Sequence, residues 1–247
     1  MKRIAVFGAT SAIAHATAKI FAQKGASLVL FARDAEKLAS VADDLQVRGA
    51  ESVEQHVLDL SDTDQQELVC TTFDSEQGAH GCDIALIAYG SLGDQKECEE
   101  DLTSLLAQLR INFTSVCSLL GKLATRFEKQ GWGSIAVISS VAGDRGRQSN
   151  YIYGSAKGGL NVFLGGLRNR LAAKNVNVLT IKPGFVDTPM TAHLKKGPLF
   201  VGPDVIARGI VKAIEKRKSV VYLPWFWSLI MLVIRLIPEP IFKRLKL

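Results

Sequence analysis

Short apolar runs rich in β-branched residues alternate along the chain with longer stretches that read as helices. RIAVF (3–7), SLVLF (27–31), a run ending HVLD (56–59), DIALIA (83–88), SIAVIS (134–139), VNVLTI (176–181) and VVY (220–222) read as strands. Most are apolar almost throughout, as parallel strands covered on both faces must be. The stretches between them carry helix-end signals. Asp34 is placed to cap one helix, with Gly49 beyond its end, and Ser61 is expected to open another with acids in its first turn. The alternation predicts an α/β fold, a doubly wound parallel sheet with helices on both faces and a ligand site beyond the strands' C-terminal ends. No repeat, low-complexity segment or linker divides it. Residues 1–222 are expected to form one domain and 223–247 an apolar, basic tail.

Length and composition agree with that picture. A chain of 247 residues, 47% apolar and 22% charged, can bury a full core and is not disordered. The cysteines at 70, 82, 98 and 117 form no C-x-x-C and pair with no histidine, which predicts reduced thiols and no metal site.

Charge changes the picture only at the C-terminus. Of the net +6, residues 205–247 carry a local +7, and residues 1–204 sum to −1. These cations flank an apolar run without regular aromatic interleaving, which argues for a membrane surface and against nucleic acid. The uncharged run 219–234 is sixteen residues long, and its start belongs to the last strand. A helical span needs about 20 residues. The tail is therefore expected to lie on the membrane, with Trp225 and Trp227 at headgroup level and Lys243, Arg244 and Lys246 facing acidic lipid. Docking on the domain or in a dimer interface is the alternative. The chain opens MKRIAVFG and enters a strand at once. That leaves no room for a signal peptide and predicts the cytoplasmic face of a membrane.

Three stretches carry candidate chemistry. FGATSAIAHATAKI (7–20) is a small-residue turn between a strand and a helix, where backbone amides can approach a pyrophosphate. YIYGSAKGGL (151–160) places Tyr153 and Lys157 one helical turn apart, whereas Tyr151 has Ser155 at that spacing. A lysine so placed is expected to lower the phenol's pKa and suit it to proton transfer. LFARDAEKL (30–38) ends the second strand with Ala32 and Arg33, where an acid would bind the ribose 2′-hydroxyl of NAD. The cation favours NADP over NAD, and Asp34 reads as the helix cap.

Spaced in this way, the motifs resemble those of the short-chain dehydrogenase/reductase family from Phe7 to Thr188. The turn is similar to that family's G-x-x-x-G-x-G, with Gly8 in the first place, and Ala12 and Ala14 where its second and third glycines stand. The resemblance implies cofactor contacts from Gly8, Thr10, Ser11 and Ile13, and from Asp59 to the adenine. The family's N-N-A-G appears as IAYG (87–90), keeping only Gly90, so other contacts must hold that loop. KPGFVDT (182–188) resembles the segment that holds the nicotinamide amide and implies Pro183, Val186 and Thr188 there. Asn112, Ser140, Tyr153 and Lys157 match the catalytic set. Tyr153 would be the acid, Ser140 the stabiliser of the oxyanion, Lys157 the pKa-lowering group and ribose ligand, and Asn112 the support of a relay water. Tyr151 would line the pocket.

YGSLGD (89–94), TAHLKKGPL (191–199) and the tail are similar to one branch of that family. Its members reduce a decaprenylphosphoryl 2-keto-pentose and work with a flavin oxidase to epimerise a lipid-linked ribose. In that reading Lys195 and Lys196 would meet the substrate phosphate. A reductase of another apolar carbonyl, such as a sterol, retinoid or acyl compound, and a non-catalytic dinucleotide sensor with protein partners remain alternatives. Gly154, Gly158 and Gly159 would permit close helix packing in a homo-oligomer.

Overall fold

The structure is a computed structural model that describes residues 2–69 and 81–245, so Cys70 and Lys246 lie outside the described residues. Seven strands, β1 (Arg3–Phe7), β2 (Ser27–Ala32), β3 (Ser52–Val57), β4 (Ile84–Ile87), β5 (Gly133–Ile138), β6 (Val176–Pro183) and β7 (Val220–Leu223), fall on the seven apolar runs. They form one sheet in the order β3-β2-β1-β4-β5-β6-β7, and each neighbouring pair is parallel.

Near-continuous apolar character follows from burial on both faces. In β1, Ile4 and Val6 enter one core layer, while Ala5 and Phe7 enter the other. Helices Ala12–Ala22, Ala35–Val47 and Pro203–Glu215 cover the first face through residues such as Phe21, Leu38 and Ile210. Helices Ser115–Gln130 and Tyr151–Ala172 cover the second through Leu119, Phe127 and Leu164. The edge strand β3, SVEQHV, is mostly exposed, as its polar sequence requires.

Asp34 caps its helix by accepting from the Lys37 backbone N–H at 3.0 Å. Ser61 does not open a helix. Residues 61–65 form a turn in which Asp62 Oδ1 accepts from Asp64 N at 2.9 Å, and helix begins only at 66. A short acidic side chain that bonds its own backbone competes with helix at that point.

The chain runs outward from β1 through β2 to β3 and then returns to place β4 on the other side of β1. Such a reversal leaves a crevice between two strand ends, where ligands of open α/β sheets bind. Gly8 turns the chain there with φ +85°, and a Cβ on it would lie 2.7 Å from the Tyr89 backbone nitrogen. Only glycine fits that contact.

The tail forms helices Trp227–Leu236 and Glu239–Phe242. Trp227 and Met231 are buried beside Val141, Phe185 and Tyr222. A Cβ on Gly184 would run into the Trp227 indole. Arg145 donates through Nη1 to the Ile234 and Ile237 carbonyls, each at 2.6 Å, pairs with Glu239 at 2.9 Å, and stacks on the Phe242 ring. The opposite side of the tail exposes Trp225, Leu229, Leu232, Val233 and Leu236. One side of the tail is thus docked on the domain, and the other is apolar and open. No helix among the described residues is long and apolar enough to cross a membrane.

The three helix glycines serve packing within the chain. A Cβ on Gly154 or Gly158 would meet the Ala142 or Gly143 carbonyl oxygen at 3.0 or 3.3 Å, and one on Gly159 would press on Phe113. They give no support to an oligomer interface.

Candidate active site

A cavity of about 520 Å³ opens beyond the C-terminal ends of the central strands. Gly8, Thr10, Ser11, Ile13, Arg33, Asp59, Gly90, Asn112, Ser140, Tyr153, Lys157, Pro183, Val186 and Thr188 all line it. These residues come from the ends of the strands and the segments that follow β1 to β6, so the sheet's parallel direction brings them to one edge.

At one end, the turn after β1 is fastened by Gly8 and Ala9 backbone N–H groups donating to the Phe31 carbonyl at 2.8 and 3.1 Å. The following helix starts at Ala12. Its cap residue Ser11 makes no side-chain cap bond, and no acid sits in the first turn. That end presents unpaired amides and the positive pole of the helix to the cavity, a setting for phosphate. Ala14 is buried in the core, so the third glycine's replacement serves packing, whereas Ala12 lines the cavity. Arg33 makes no ion pair among the described residues, and Asp34 is engaged by Lys37 Nζ at 2.9 Å. A glycine cradle, an open helix end and a free cation fit a dinucleotide phosphate.

At the other end, Ser140 Oγ accepts from Ala142 N at 3.1 Å, which leaves its own proton to donate into the cavity. Tyr153 retains some exposure, yet desolvation raises its pKa to about 12, and a hydrogen bond with Ser140 pulls it partly back. Lys157 is buried, donates to the Ile138 carbonyl at 3.3 Å, and is lowered by desolvation to about 8. Its Nζ lies 5.7 Å from the centroid of the Tyr153 ring. The expectation that Lys157 depresses the phenol is corrected here: burial dominates both groups and moves the tyrosine upward.

Asn112 lies in a single π-helical turn, Arg110–Thr114, that aims its carboxamide at the loop after β4. Oδ1 accepts from Ser91 N at 3.2 Å, and Nδ2 donates to the Ser91 carbonyl at 2.9 Å. This clasp holds the loop that lacks the family's asparagines. Gly90 stands in between. A Cβ there would sit 2.7 Å from Asn112 Oδ1 and 3.6 Å from Lys157 Nζ, so glycine keeps that gap open.

Three expected substrate residues lie outside the cavity lining. Tyr151 is 43% exposed and hydrogen-bonded to Glu99, which raises its pKa. Two residues correspond to roughly 200° around a helix, so a tyrosine two places before Tyr153 faces away. Lys196 pairs with Asp187 at 2.5 Å, and Lys195 is exposed. The lining instead includes residues the sequence reading passed over, among them Arg147, Asn150, Phe185 and Met190. A cation in the stretch joining Ser140 to Tyr153 was the available signal for the first of these.

The sheet with its switch-point cradle, and the serine, tyrosine and lysine beside it, define a dinucleotide-dependent oxidoreductase. The short chain dehydrogenase family model matches residues 2–198, and the chain belongs to that family. An uncharacterized oxidoreductase of Mycobacterium tuberculosis is 36% identical over 98% of this chain and 96% of its own. One from Streptomyces coelicolor is 31% identical over 99% and 96%. Among solved structures, a short-chain dehydrogenase from Sphingobium yanoikuyae in complex with NADPH has a TM-score of 0.83 at 21% identity, covering 99% of this chain and 96% of that one. A bulky-bulky ketone specific alcohol dehydrogenase from Comamonas testosteroni has a TM-score of 0.81 at 20% identity, covering 99% and 95%. The last two share the fold.

Proposed function

We propose that this oxidoreductase is an NADPH-dependent reductase of a keto-sugar carried on a polyprenyl phosphate, working at an acidic membrane surface. The observation that carries the reductase reading is the single cavity joining Arg33 and the Gly8 cradle to Ser140, Tyr153 and Lys157. A bound nicotinamide supplies the hydride. As charge grows on the substrate's carbonyl oxygen, Ser140 donates a hydrogen bond to it and Tyr153 gives it the phenolic proton. The buried Lys157 ammonium holds positive charge beside the phenol, and the gap at Gly90 offers a water a place between Lys157 and Asn112 to restore that proton. In this reading a flavin-dependent oxidase supplies the keto-sugar. The lipid substrate is supported by the likeness of residues 89–94 and 191–199, by the apolar lining from Leu92, Phe185 and Leu194, and by the tail. A lipid-linked keto-sugar accumulating when the gene is deleted tests it. Accumulation of a sterol, retinoid or acyl ketone instead would shift the reading to another apolar carbonyl.

Arg33→Ala is expected to weaken NADPH by about 2 kcal/mol and NADH much less, because a charge-assisted phosphate contact is lost. Fluorescence titration with both cofactors checks it. Equal weakening would remove Arg33 from the phosphate site.

The tail's open face is proposed to lie on acidic lipid. Lys243 and Arg244 follow it in the chain, and the tail's one acid, Glu239, is already paired with Arg145. Replacing Leu229, Val233 and Leu236 with Gln is expected to release the protein from vesicles containing acidic lipid while its melting temperature stays near that of wild type. High salt should release part of the unmodified protein. Wild-type protein that never sediments with such vesicles would refute the membrane contact.

A further inference from the structure

Arg147 is a cation without an evident duty. It lines the active-site cavity from the loop that runs between Ser140 and Tyr153. Its Nε is buried and has no hydrogen-bond partner among the described residues. The carboxylate whose charge reaches it, Asp144, is held elsewhere: Oδ1 by Lys182 at 2.5 Å and Oδ2 by the Tyr222 hydroxyl at 2.7 Å. A buried guanidinium donor left open is costly, and the cost is recovered when an anion fills it. Asn150, which ends the same turn and also lines the cavity, has a buried Oδ1 without a partner among the described residues.

The phosphate that Arg33 would hold is a poor match for this position. Arg33 follows β2, whereas Arg147 follows β5, three strand spacings away in the sheet order. At about 4.8 Å per spacing that is roughly 14 Å. One phosphate cannot engage both. The cavity wall also carries the apolar Val141, Phe185 and Met190, the first two packed in one cluster, and Val141 and Tyr153 are close to Arg147 in the chain. Lys195 and Lys196, the cations first expected to meet a substrate anion, lie outside this wall.

We propose that Arg147 and the turn to Asn150 form an anion subsite for the substrate, one that accepts a phosphate attached to an apolar chain and so fixes which carbonyl compounds are reduced. Arg147 supplies the charge-assisted hydrogen bond, and Val141, Phe185 and Met190 take the apolar part. The subsite rests on the reductase reading for its role but not for its binding.

Hexyl phosphate, titrated calorimetrically into protein saturated with NADP, is the direct probe, with hexanol as its uncharged counterpart. Wild type is expected to bind hexyl phosphate at least tenfold more tightly than hexanol. Arg147→Gln should lose about tenfold for hexyl phosphate, Arg147→Lys should lose less, and Arg33→Ala should lose none. Equal affinity for the two probes in wild type overturns the subsite, and that measurement needs no variant to fold. So does unchanged binding in Arg147→Gln, or a loss in Arg33→Ala instead. In turnover, the kcat/KM ratio of a ketone phosphate monoester to its parent hydroxyketone should fall about tenfold in Arg147→Gln. If wild type reduces neither ketone but hexyl phosphate binding follows Arg147, the reductase reading fails and the subsite stands.

Discussion

Tyr153→Phe is expected to lower kcat about 10²–10⁴-fold, the usual contribution of a positioned acid, and to leave NADPH affinity nearly unchanged. The ring and its packing survive the substitution, and only the proton donor goes. With burial holding the phenol's pKa near 12, Tyr153 is fully protonated at neutral pH. It therefore stands ready to donate in the direction of reduction, and loses that capacity only as pH climbs towards the raised pKa. Tyr151→Phe removes a hydroxyl that meets Glu99 outside the cavity, so it should change turnover little. Single-turnover kinetics on both variants decide the assignment. Comparable losses would mean that the acid has been misplaced.

Gly8→Ala should destabilise the protein by about 2–6 kcal/mol. Two costs combine: a side chain at φ +85° is strained by about 1–3 kcal/mol, and its Cβ would be forced within 2.7–2.9 Å of Tyr89. Overpacking against backbone adds about 1–3 kcal/mol more, because β4 cannot yield without disturbing the sheet. Ala12→Gly, at the first position of the adjacent helix, should cost only about 1 kcal/mol. Urea unfolding measures both. A Gly8→Ala protein within about 0.5 kcal/mol of wild type, as for an ordinary surface change, would show that the turn relaxes and that the glycine is not required.

The sheet was legible because its inner strands are covered on both faces, so their apolar runs stand out from helices that have only one apolar side, whereas the exposed edge strand β3 shows only the end of such a run. The cavity was legible because its residues follow strand ends, where chain order and spatial order coincide. Arg33 could be read from its place after β2, whereas Ser140 and Tyr153 also needed the family's motif spacing. Properties fixed across the chain were harder to read. Nothing near Lys196 in sequence marks Asp187 as bound to it, since the pair forms only when the loop folds back. Nor does the i, i+4 spacing of Tyr153 and Lys157 report that both are desolvated, which reverses the expected shift of the phenol. The tail's composition pointed to an interaction surface. It could not divide Trp227 and Met231, which are docked, from Leu229 and Val233, which are not.

Arg145 ties the tail to the loop after β5, two residues before Arg147, while Trp227 presses on the backbone at Gly184. The tail is consequently a poor unit of exchange. A chimera that takes residues 224–247 from a relative would carry the apolar face but could deprive Arg145 of Glu239 and Phe242, and would set a foreign side chain against Gly184. Grafting would need to move three separated segments together: the loop from Val141 to Arg147, the Pro183–Phe185 stretch, and the tail itself. Divergence within the family should meet the same constraint, so that a change in one of the three is matched by changes in the other two.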